Sequence, residues 1–315
     1  MTASEKIARS VLERRNAADV LEILSEKLSA SELASVLLEV HRRRAETVTF
    51  AGIFEQYERT RMFQPTSADV RALAELDRLL FDLAGAFEAI ELSPVSPLGL
   101  NHLAGIPQNN VLSALRAAEV LADPTTQKAL ECARRRRRDR TAEVKLCGSH
   151  RLLRVQRLPD VPGFFPHFRI FTMSTAGRDT GDERFEQAVL VEHLSVYLEL
   201  FRRLPVLGYA PSDVRVSISD TKRRPLAPRI ERGVLDTLRR SFPEVEVAFD
   251  ETRTQGRSYY SGYCVQIVVK NAKGEDLPLG DGGFSTWTQS LLSDAKERFF
   301  STAIGTELIA KRLRA

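Results

Sequence analysis

Residues 147–172 constrain the fold most, because β-prone runs flank a connector that no helix or strand can contain. Residues 152–155 favour a strand, and residues 168–172 alternate bulky with polar side chains. Prolines and a glycine recur between them at Pro159, Pro162, Gly163 and Pro166. Such density excludes regular structure. The pattern therefore predicts a β-hairpin with a long, stiff loop that carries aromatic side chains at its tip.

Polar side chains cluster on both predicted strands of this hairpin. Arg154 and Gln156 alternate along the first strand, while His167 and Arg169 open the second. Cationic and amide groups that converge beneath a loop can hold the phosphate and the base of a nucleotide. A surface hairpin with solvated arginines is the alternative, since arginine is mostly exposed in proteins. These residues alone leave both interpretations open.

Composition excludes several classes of protein. The 315 residues are 43% hydrophobic and 28% charged, which provides a substantial core and excludes disorder. The net charge of +4 is too small for nucleic-acid binding through overall charge. The three cysteines show no zinc-site spacing, so a reducing compartment is expected. No apolar run has the length of a signal-peptide core or a membrane span, which predicts a cytoplasmic protein without a membrane partner.

A run of five arginines, Arg134 to Arg138, is the strongest local concentration of charge. One interpretation is a phosphate-binding patch for RNA. The other is a solvated helix face or a linker, which is the usual role of a charge run. Five charges in one place give salt-sensitive, non-specific affinity for nucleic acid at best. The run alone therefore does not predict a tight RNA complex.

The N-terminal residues 1–64 are predicted to form a helical segment, because apolar residues recur there at helical spacing. Ser29 or Ser31 is expected to cap its second helix. A further helix follows Pro65, with Thr66 or Ser67 as its expected cap.

Residues 65–315 mix strands with helices and form the predicted core. Residues 87–94 are predicted to be a strand, and residues 291–300 and 303–313 to be helical. Strands and helices do not alternate as in a Rossmann fold, and neither a GxGxxG nor a Walker loop occurs. The order predicts an α+β fold with a largely antiparallel sheet flanked by helices.

Three segments of this core occur in an order that is informative about its family. Residues 87–94 end in Pro94, the hairpin carries Arg-x-Gln and His-x-x-x-Phe, and residues 303–308 read Ala-Ile-Gly-Thr-Glu-Leu. These segments resemble motifs 1, 2 and 3 of the class II aminoacyl-tRNA synthetases, most closely the histidyl branch. That branch includes the synthetase-like regulatory subunit of ATP phosphoribosyltransferase. The resemblance covers about residues 66–315 and implies a homodimer formed through the motif 1 strand.

The resemblance also implies two sets of binding residues. Asp123 and Thr125 resemble the acid and threonine that hold the substrate's α-amino group, and Tyr259 and Tyr260 resemble the histidyl tyrosine pair, so amino-acid binding is implied for these four. ATP binding with Mg²⁺ is implied for a second set, in which Arg154 is the catalytic residue that neutralises the α-phosphate: Arg154, Gln156, His167, Phe171, Glu307 and Arg312. No protein-only metal site is expected. Without the resemblance, Asp123 before a proline reads as a turn or helix-cap residue.

Departures from the family pattern leave the function open. Leu308 replaces the motif 3 arginine that clamps ATP, and Arg312, one helical turn later, is the candidate substitute. Gln156 replaces the motif 2 glutamate, and Gln255 replaces a histidyl arginine, with Arg253 and Arg257 close by. The anticodon-binding domain expected after motif 3 is missing, so tRNA binding is doubtful.

Two functions therefore remain. One is an amino-acid-binding paralogue that forms an aminoacyl-adenylate for a non-standard acceptor, which would make it an ATP-dependent ligase. The other is a non-catalytic, synthetase-like regulatory or interaction subunit.

Overall fold

The computed structural model describes residues 2–156, 164–254, 256 and 259–314. Pro159, Pro162, Gly163, Gln255 and Arg257 lie outside the described residues. Helices occur at α1 (Ala3–Glu13), α2 (Val20–Glu22), α3 (Ala30–Glu46), α4 (Phe50–Arg59), α5 (Val70–Leu83), α6 (Leu100–Leu103), α7 (Pro124–Arg138), α8 (Arg184–Arg203), α9 (Pro228–Ile230), α10 (Asp236–Ser241), α11 (Trp287–Leu292) and α12 (Thr306–Arg312). Strands occur at β1 (Glu88–Ala89), β2 (Val95–Pro97), β3 (Ser113–Ala114), β4 (Ala118–Val120), β5 (Val144–Leu153), β6 (His167–Arg178), β7 (Ser212–Asp220), β8 (Glu246–Phe249), β9 (Tyr263–Lys270), β10 (Asp276–Ser285) and β11 (Glu297–Ile304).

The chain divides into two compact units. The first comprises residues 1–64 and 113–119, and the second comprises the remaining residues. Ser29 caps α3 in a capping box, because its side chain accepts from the backbone of Glu32 while the Glu32 carboxylate accepts from the backbone of Ser29. None of the described residues from 2 to 64 is buried, so the helices of this segment are strengthened mainly by their caps and surface ion pairs.

The second unit is organised by one large sheet with the strand order β1-β5-β6-β11-β10-β9-β7-β8. All neighbouring pairs are antiparallel except β1 with β5 and β7 with β8, which are parallel. The fold is therefore α+β with a largely antiparallel sheet, as the sequence predicted. The central hairpin also agrees, since β5 and β6 pair continuously from Val144 with Ala176 to Leu153 with His167.

Helices cover both faces of the large sheet. On one face, α5 and α8 bury leucine and aromatic side chains against β6, β9, β10 and β11 in the main hydrophobic core. On the other face, α7 packs against a smaller apolar cluster from β5, β6 and β11. Lys128 of α7 is completely buried there and donates to the Thr172 backbone oxygen at 2.6 Å and its hydroxyl at 2.7 Å. These bonds fix α7 against β6.

Several local predictions are corrected by the structure. Asp69, not Thr66 or Ser67, caps α5, because its carboxylate accepts from the Arg71 backbone N–H. Most of residues 291–300 are not helical, since β11 begins at Glu297 and only the end of α11 is a helix. The motif 1 stretch forms a strand only at Glu88–Ala89.

The arginine run is neither a linker nor a uniformly solvated face. It forms the last turns of α7, and three of its members are held by carboxylates. Arg134 and Arg135 pair with Glu131, and Arg135 also pairs with Glu88 of β1. Arg136 is completely buried against Glu297 of β11, with two hydrogen bonds of 2.9 Å. Arg134, Arg137 and Arg138 remain exposed.

Within the described part of the chain, no helix combines the length and apolar character needed to cross a bilayer.

Candidate amino-acid site

A cavity of about 760 Å³ opens on the α7 side of the large sheet, within the second unit. Its wall combines the start of α7, the end of β5, the start of β6 and the central strands β9, β10 and β11. Of the ten site residues predicted from the sequence, seven line it: Asp123, Thr125, Arg154, Gln156, Tyr259, Tyr260 and Glu307. The fold therefore brings together residues from four distant parts of the chain.

Three oxygen-bearing side chains meet at the start of α7. Asp123 is the N-cap of this helix, and its Oδ1 accepts from the Thr125 backbone N–H at 2.8 Å and from the Thr125 hydroxyl at 2.7 Å. Its Oδ2 accepts from the Tyr259 hydroxyl at 2.9 Å. The Thr125 and Tyr259 hydroxyl oxygens lie 3.0 Å apart. Asp123 therefore caps α7, as expected, and also lines the cavity.

The sequence creates this cap because Pro124 follows Asp123. Proline is favoured in the first position of a helix, where no backbone N–H is needed. The aspartate before it adopts an extended backbone, which directs its carboxylate back over the first turn.

Aromatic rings hold Tyr259 in place. Its ring meets Tyr260 edge-on at 4.9 Å and Trp287 at 5.1 Å, and Trp287 packs on Phe299. Gly283 allows the close approach of Tyr260, because a Cβ there would lie 2.5 Å from that ring. Burial, followed by the negative charge of Asp123, raises the pKa of Tyr259 well above its usual value. The phenol therefore stays protonated and remains a donor to Asp123.

Arg154 lies beside this cluster. Its Nε donates to the Ala122 backbone oxygen at 3.1 Å, and its Nη2 lies 3.5 Å from Asp123 Oδ2. Its guanidinium also faces the Phe168 ring at 5.7 Å. The distance to Asp123 is longer than the 2.7–2.9 Å or so of a strong charge-assisted bond. A cationic donor therefore borders the carboxylate without being tightly committed to it.

Glu307 is fully engaged by the protein itself. Its Oε1 accepts from Thr66 and from Lys311 at 2.7 Å, while its Oε2 pairs with Arg151 at 2.9 Å. Burial opposes its charge, but the bonds from Lys311 and Thr66 and the charge of Arg151 outweigh this and lower its pKa. This carboxylate holds α12 in place and offers little to a ligand.

No protein-family model and no curated protein matches the sequence. Solved structures do resemble the fold. Apo histidyl-tRNA synthetase of S. aureus has a TM-score of 0.55 at 14% identity, over 76% of this chain and 64% of that one. A Bacillus halodurans protein described as an ATP phosphoribosyltransferase regulatory subunit/histidyl-tRNA synthetase gives 0.55 at 12% identity, over 78% and 82%. A histidine–tRNA ligase subunit of Alicyclobacillus acidocaldarius gives 0.56 at 12% identity, over 79% and 94%.

The chain has the class II aminoacyl-tRNA synthetase fold. It spans 64% of the length of the S. aureus enzyme. At these identities the likeness establishes the fold alone.

Within this class II fold, three of the predicted nucleotide residues do not line the cavity. Phe171 is completely buried on the opposite face of the sheet, where it packs edge-on against Phe81 of α5 at 5.4 Å. Side chains alternate along β6, so Phe168 rather than Phe171 faces the cavity. Phe171 therefore does not line the cavity to which the predicted nucleotide residues Arg154 and Gln156 belong.

His167 and Arg312 also point elsewhere. His167 packs edge-on against Phe165 at 4.8 Å, and its Nδ1 lies 3.0 Å from Arg151. Arg312 pairs with Glu275 at 2.8 Å near the surface, so it does not substitute for the motif 3 arginine in this structure. Leu308 itself lines the cavity and presents an apolar side chain there.

Sequence reasoning missed an acidic residue of the cavity, Asp281 of β10. Gly282 and Gly283 follow it, and such glycines are compatible with a turn or with close packing of the backbone, whereas the pairing of β10 with β9 places Asp281 opposite Gln266. Asp281 pairs with Arg253, whose Nη2 lies 2.8 Å from Oδ1.

The described wall of the cavity offers few cations to a triphosphate. Among the residues that the structure describes, no three His, Cys, Asp or Glu side chains are grouped to hold a metal. The described cations of the wall are Arg154 and Arg169, and Arg169 is 3.4 Å from Asp77 of α5. The wall therefore matches one anionic group better than a chain of phosphates.

Proposed function

We propose that this chain is an amino-acid-binding module built on the class II synthetase fold. The substrate's α-ammonium binds at Asp123, Thr125 and Tyr259, and its α-carboxylate binds at Arg154. The observation that carries the proposal is the hydrogen-bonded cluster of Asp123, Thr125 and Tyr259 beside Arg154 on one cavity wall.

The cluster presents three acceptors to one cation. The Thr125 hydroxyl proton is directed to Asp123 Oδ1, and the Tyr259 hydroxyl proton to Asp123 Oδ2. Both hydroxyl oxygens keep lone pairs, and with the carboxylate they match the three donors of an ammonium group. Because the hydroxyls are already oriented by Asp123, little entropy is lost when the ligand binds.

A zwitterion also suits the charges of the wall. Asp123 and Arg154 carry opposite charges at a separation of 3.5 Å. An ammonium against Asp123 and a carboxylate against Arg154 would replace this loose pair by two charge-assisted contacts without changing the net charge. The buried carboxylate of Asp123 would thereby have a cationic partner in both the free and the bound protein.

The test is a thermal-shift screen against the amino acids. A ligand at a hundredfold excess over its Kd stabilises the folded state by about 2.7 kcal/mol, so binding is readable without an activity assay. We expect at least one amino acid to raise Tm. Asp123→Asn should abolish that shift while keeping α7 intact, because asparagine caps helices as well as aspartate does.

Asp69→Asn is the matched control, since Asp69 caps α5 in the same way but does not line the cavity. It should leave the ligand-induced shift unchanged. A parent protein that responds to no amino acid, or an Asp123→Asn variant that keeps the full shift, contradicts the proposal.

Adenylate formation is a second candidate, favoured by Arg154, Gln156 and Phe168 along one wall. A guanidinium, an amide and an aromatic ring are groups that can hold an α-phosphate and a base. Histidine-dependent pyrophosphate exchange tests it, and we expect little or none because Leu308 supplies no charge to the distal phosphates. Robust exchange would make the chain an activating enzyme instead of a regulatory or interaction subunit.

A further inference from the structure

Asp281 provides a second carboxylate in the cavity. It lies on β10, opposite Gln266 of β9 and Ala303 of β11, and all three line the cavity wall. About half of its side chain, 53%, is exposed, and this exposed part faces the cavity. The site of Asp123 and the position of Asp281 therefore share one space.

One oxygen of Asp281 is committed and the other is available. Oδ1 accepts from Arg253 at 2.8 Å and from the Gly282 backbone N–H at 2.8 Å. Within the described part of the chain, no hydrogen bond reaches Oδ2. Arg253 is held firmly, because its side chain is only 6% exposed and it also donates to the Val265 backbone oxygen at 3.0 Å. The carboxylate is thus fixed in orientation with one acceptor left over.

The charge of Asp281 is incompletely balanced. Burial raises its pKa, the charge and hydrogen bond of Arg253 and the Gly282 N–H oppose this, and the charge of Asp123 raises the pKa further. The net direction of the pKa shift is upward, because the carboxylate is less well solvated in the cavity than in water. A cationic ligand group beside Oδ2 would reverse that balance.

We propose that Asp281 selects amino acids whose side chain ends in an ammonium or guanidinium group. The inference rests on the proposed function, because it assumes that the α-ammonium and α-carboxylate bind at Asp123 and Arg154. A basic amino acid carries two positive groups and one negative group. Asp123, Asp281 and Arg154 provide two carboxylates and one guanidinium to receive them.

Specificity follows from the unused acceptor. A cationic side chain would form a charge-assisted bond with Oδ2 of Asp281. A neutral side chain of the same shape would leave Oδ2 of this carboxylate without a hydrogen-bond donor in the cavity, and sites with an unmatched polar atom reject such analogues strongly. The wall around Asp281 therefore favours cationic over isosteric neutral side chains.

The experiment is isothermal titration of the full chain with two isosteric pairs, L-arginine against L-citrulline and L-lysine against L-2-aminoheptanoic acid. We expect one cationic member to bind roughly ten- to a hundredfold more tightly than its neutral partner. Asp281→Asn should remove that difference and leave the neutral ligand unchanged, since asparagine still accepts from Arg253 and Gly282 through Oδ1.

Asp276→Asn is the matched control, because Asp276 lies on the same strand and pairs with Arg215 at the surface. It should leave all four affinities unchanged. Equal affinities within both pairs, or an Asp281→Asn variant that weakens cationic and neutral ligands alike, overturn the inference while the proposed function stands. If no amino acid of either kind binds, the proposed function fails and the inference fails with it.

Discussion

Replacing Arg136 by methionine should destabilise the second unit by about 3 kcal/mol. Arg136 and Glu297 are 1% and 0% exposed, and removing one partner of such a buried pair typically costs roughly 3–5 kcal/mol, because the other charge loses its partner. Arg140 lies 3.3 Å from the same carboxylate and is 40% exposed, so it compensates part of the loss. This places the expected cost at the lower end of the range.

The double variant Arg136→Met with Glu297→Leu isolates the electrostatic part. Arg136 and Glu297 lie on α7 and β11, which also contribute Ala129, Cys132 and Phe299 to an apolar cluster. We expect this environment to accept both new side chains. Replacing both partners of a buried pair by apolar residues is often nearly neutral. The double variant should therefore recover most of the stability lost by Arg136→Met, with a coupling energy of about 2–3 kcal/mol.

Urea and thermal unfolding of the four proteins in this cycle provide the measurement. A cost of about 3 kcal/mol corresponds to a fall in Tm of roughly 6–12 °C for a unit of this size. Arg137→Met and Arg138→Met are internal controls, since both residues lie in the same run but are exposed, and each should change stability by less than about 0.5 kcal/mol. If Arg136→Met costs no more than these controls, the buried pair does not hold α7 to β11 and the reasoning is refuted.

Three further predictions concern acid, assembly and ATP. Burial, with the charges of Lys145 and Lys128, lowers the pKa of His193 from 6.5 to about 3. The unfolded chain therefore binds more protons between these pH values, so this contribution to stability is complete above pH 6.5 and is lost by about 1.4 kcal/mol per pH unit as the pH falls. Urea midpoints from pH 7 to pH 5 should fall, and less steeply for His193→Gln. Residues around Phe87 to Pro94 should form a homodimer interface, which light scattering at tens of micromolar would reveal as twice the chain mass; a monomer contradicts this. ATP should bind weakly, Arg154→Ala should abolish that binding, and Leu308→Arg should tighten it by roughly ten- to a hundredfold in equilibrium dialysis. An unchanged affinity in Leu308→Arg would show that the distal phosphates do not reach α12.

The hairpin could be predicted because its signals are local. Proline and glycine mark the loop, and alternating side chains mark the strands on either side. The cap role of Asp123 could be predicted for the same reason, since an aspartate before a proline is a strong helix-start signal. Both features depend on residues that are close in sequence.

Predictions failed where distant residues determine the outcome. Glu297 and Arg298 open β11, and such charges close to apolar residues resemble a helix face. In the structure Arg136 neutralises Glu297, while Asp179 and Glu186 pair with Arg298. No pattern in the neighbouring sequence indicates these partners. Charged residues are rarely buried without partners, so a buried strand could not be predicted here.

The position of Phe171 outside the cavity has a different origin. A sequence motif gives the spacing of residues, but the face of a strand changes with every residue. Phe168 and Phe171 are separated by an odd number of positions, so only one of them can face the cavity. Asp281 was missed because Gly282 and Gly283 follow it. Neighbouring glycines occur in turns and also where a sheet is closely packed, so they do not identify a strand.

The arginine run gives α7 an unusual tolerance to changes in length. The helix is positioned from its first turn by Asp123 and Lys128, so each later position is counted from that end. Loss of one arginine codon from the run would still leave an arginine at position 136, opposite Glu297. The deletion would be absorbed by the turn at Asp139 before β5. A run of identical residues at the end of α7 thus keeps the buried ion pair when the helix loses one residue.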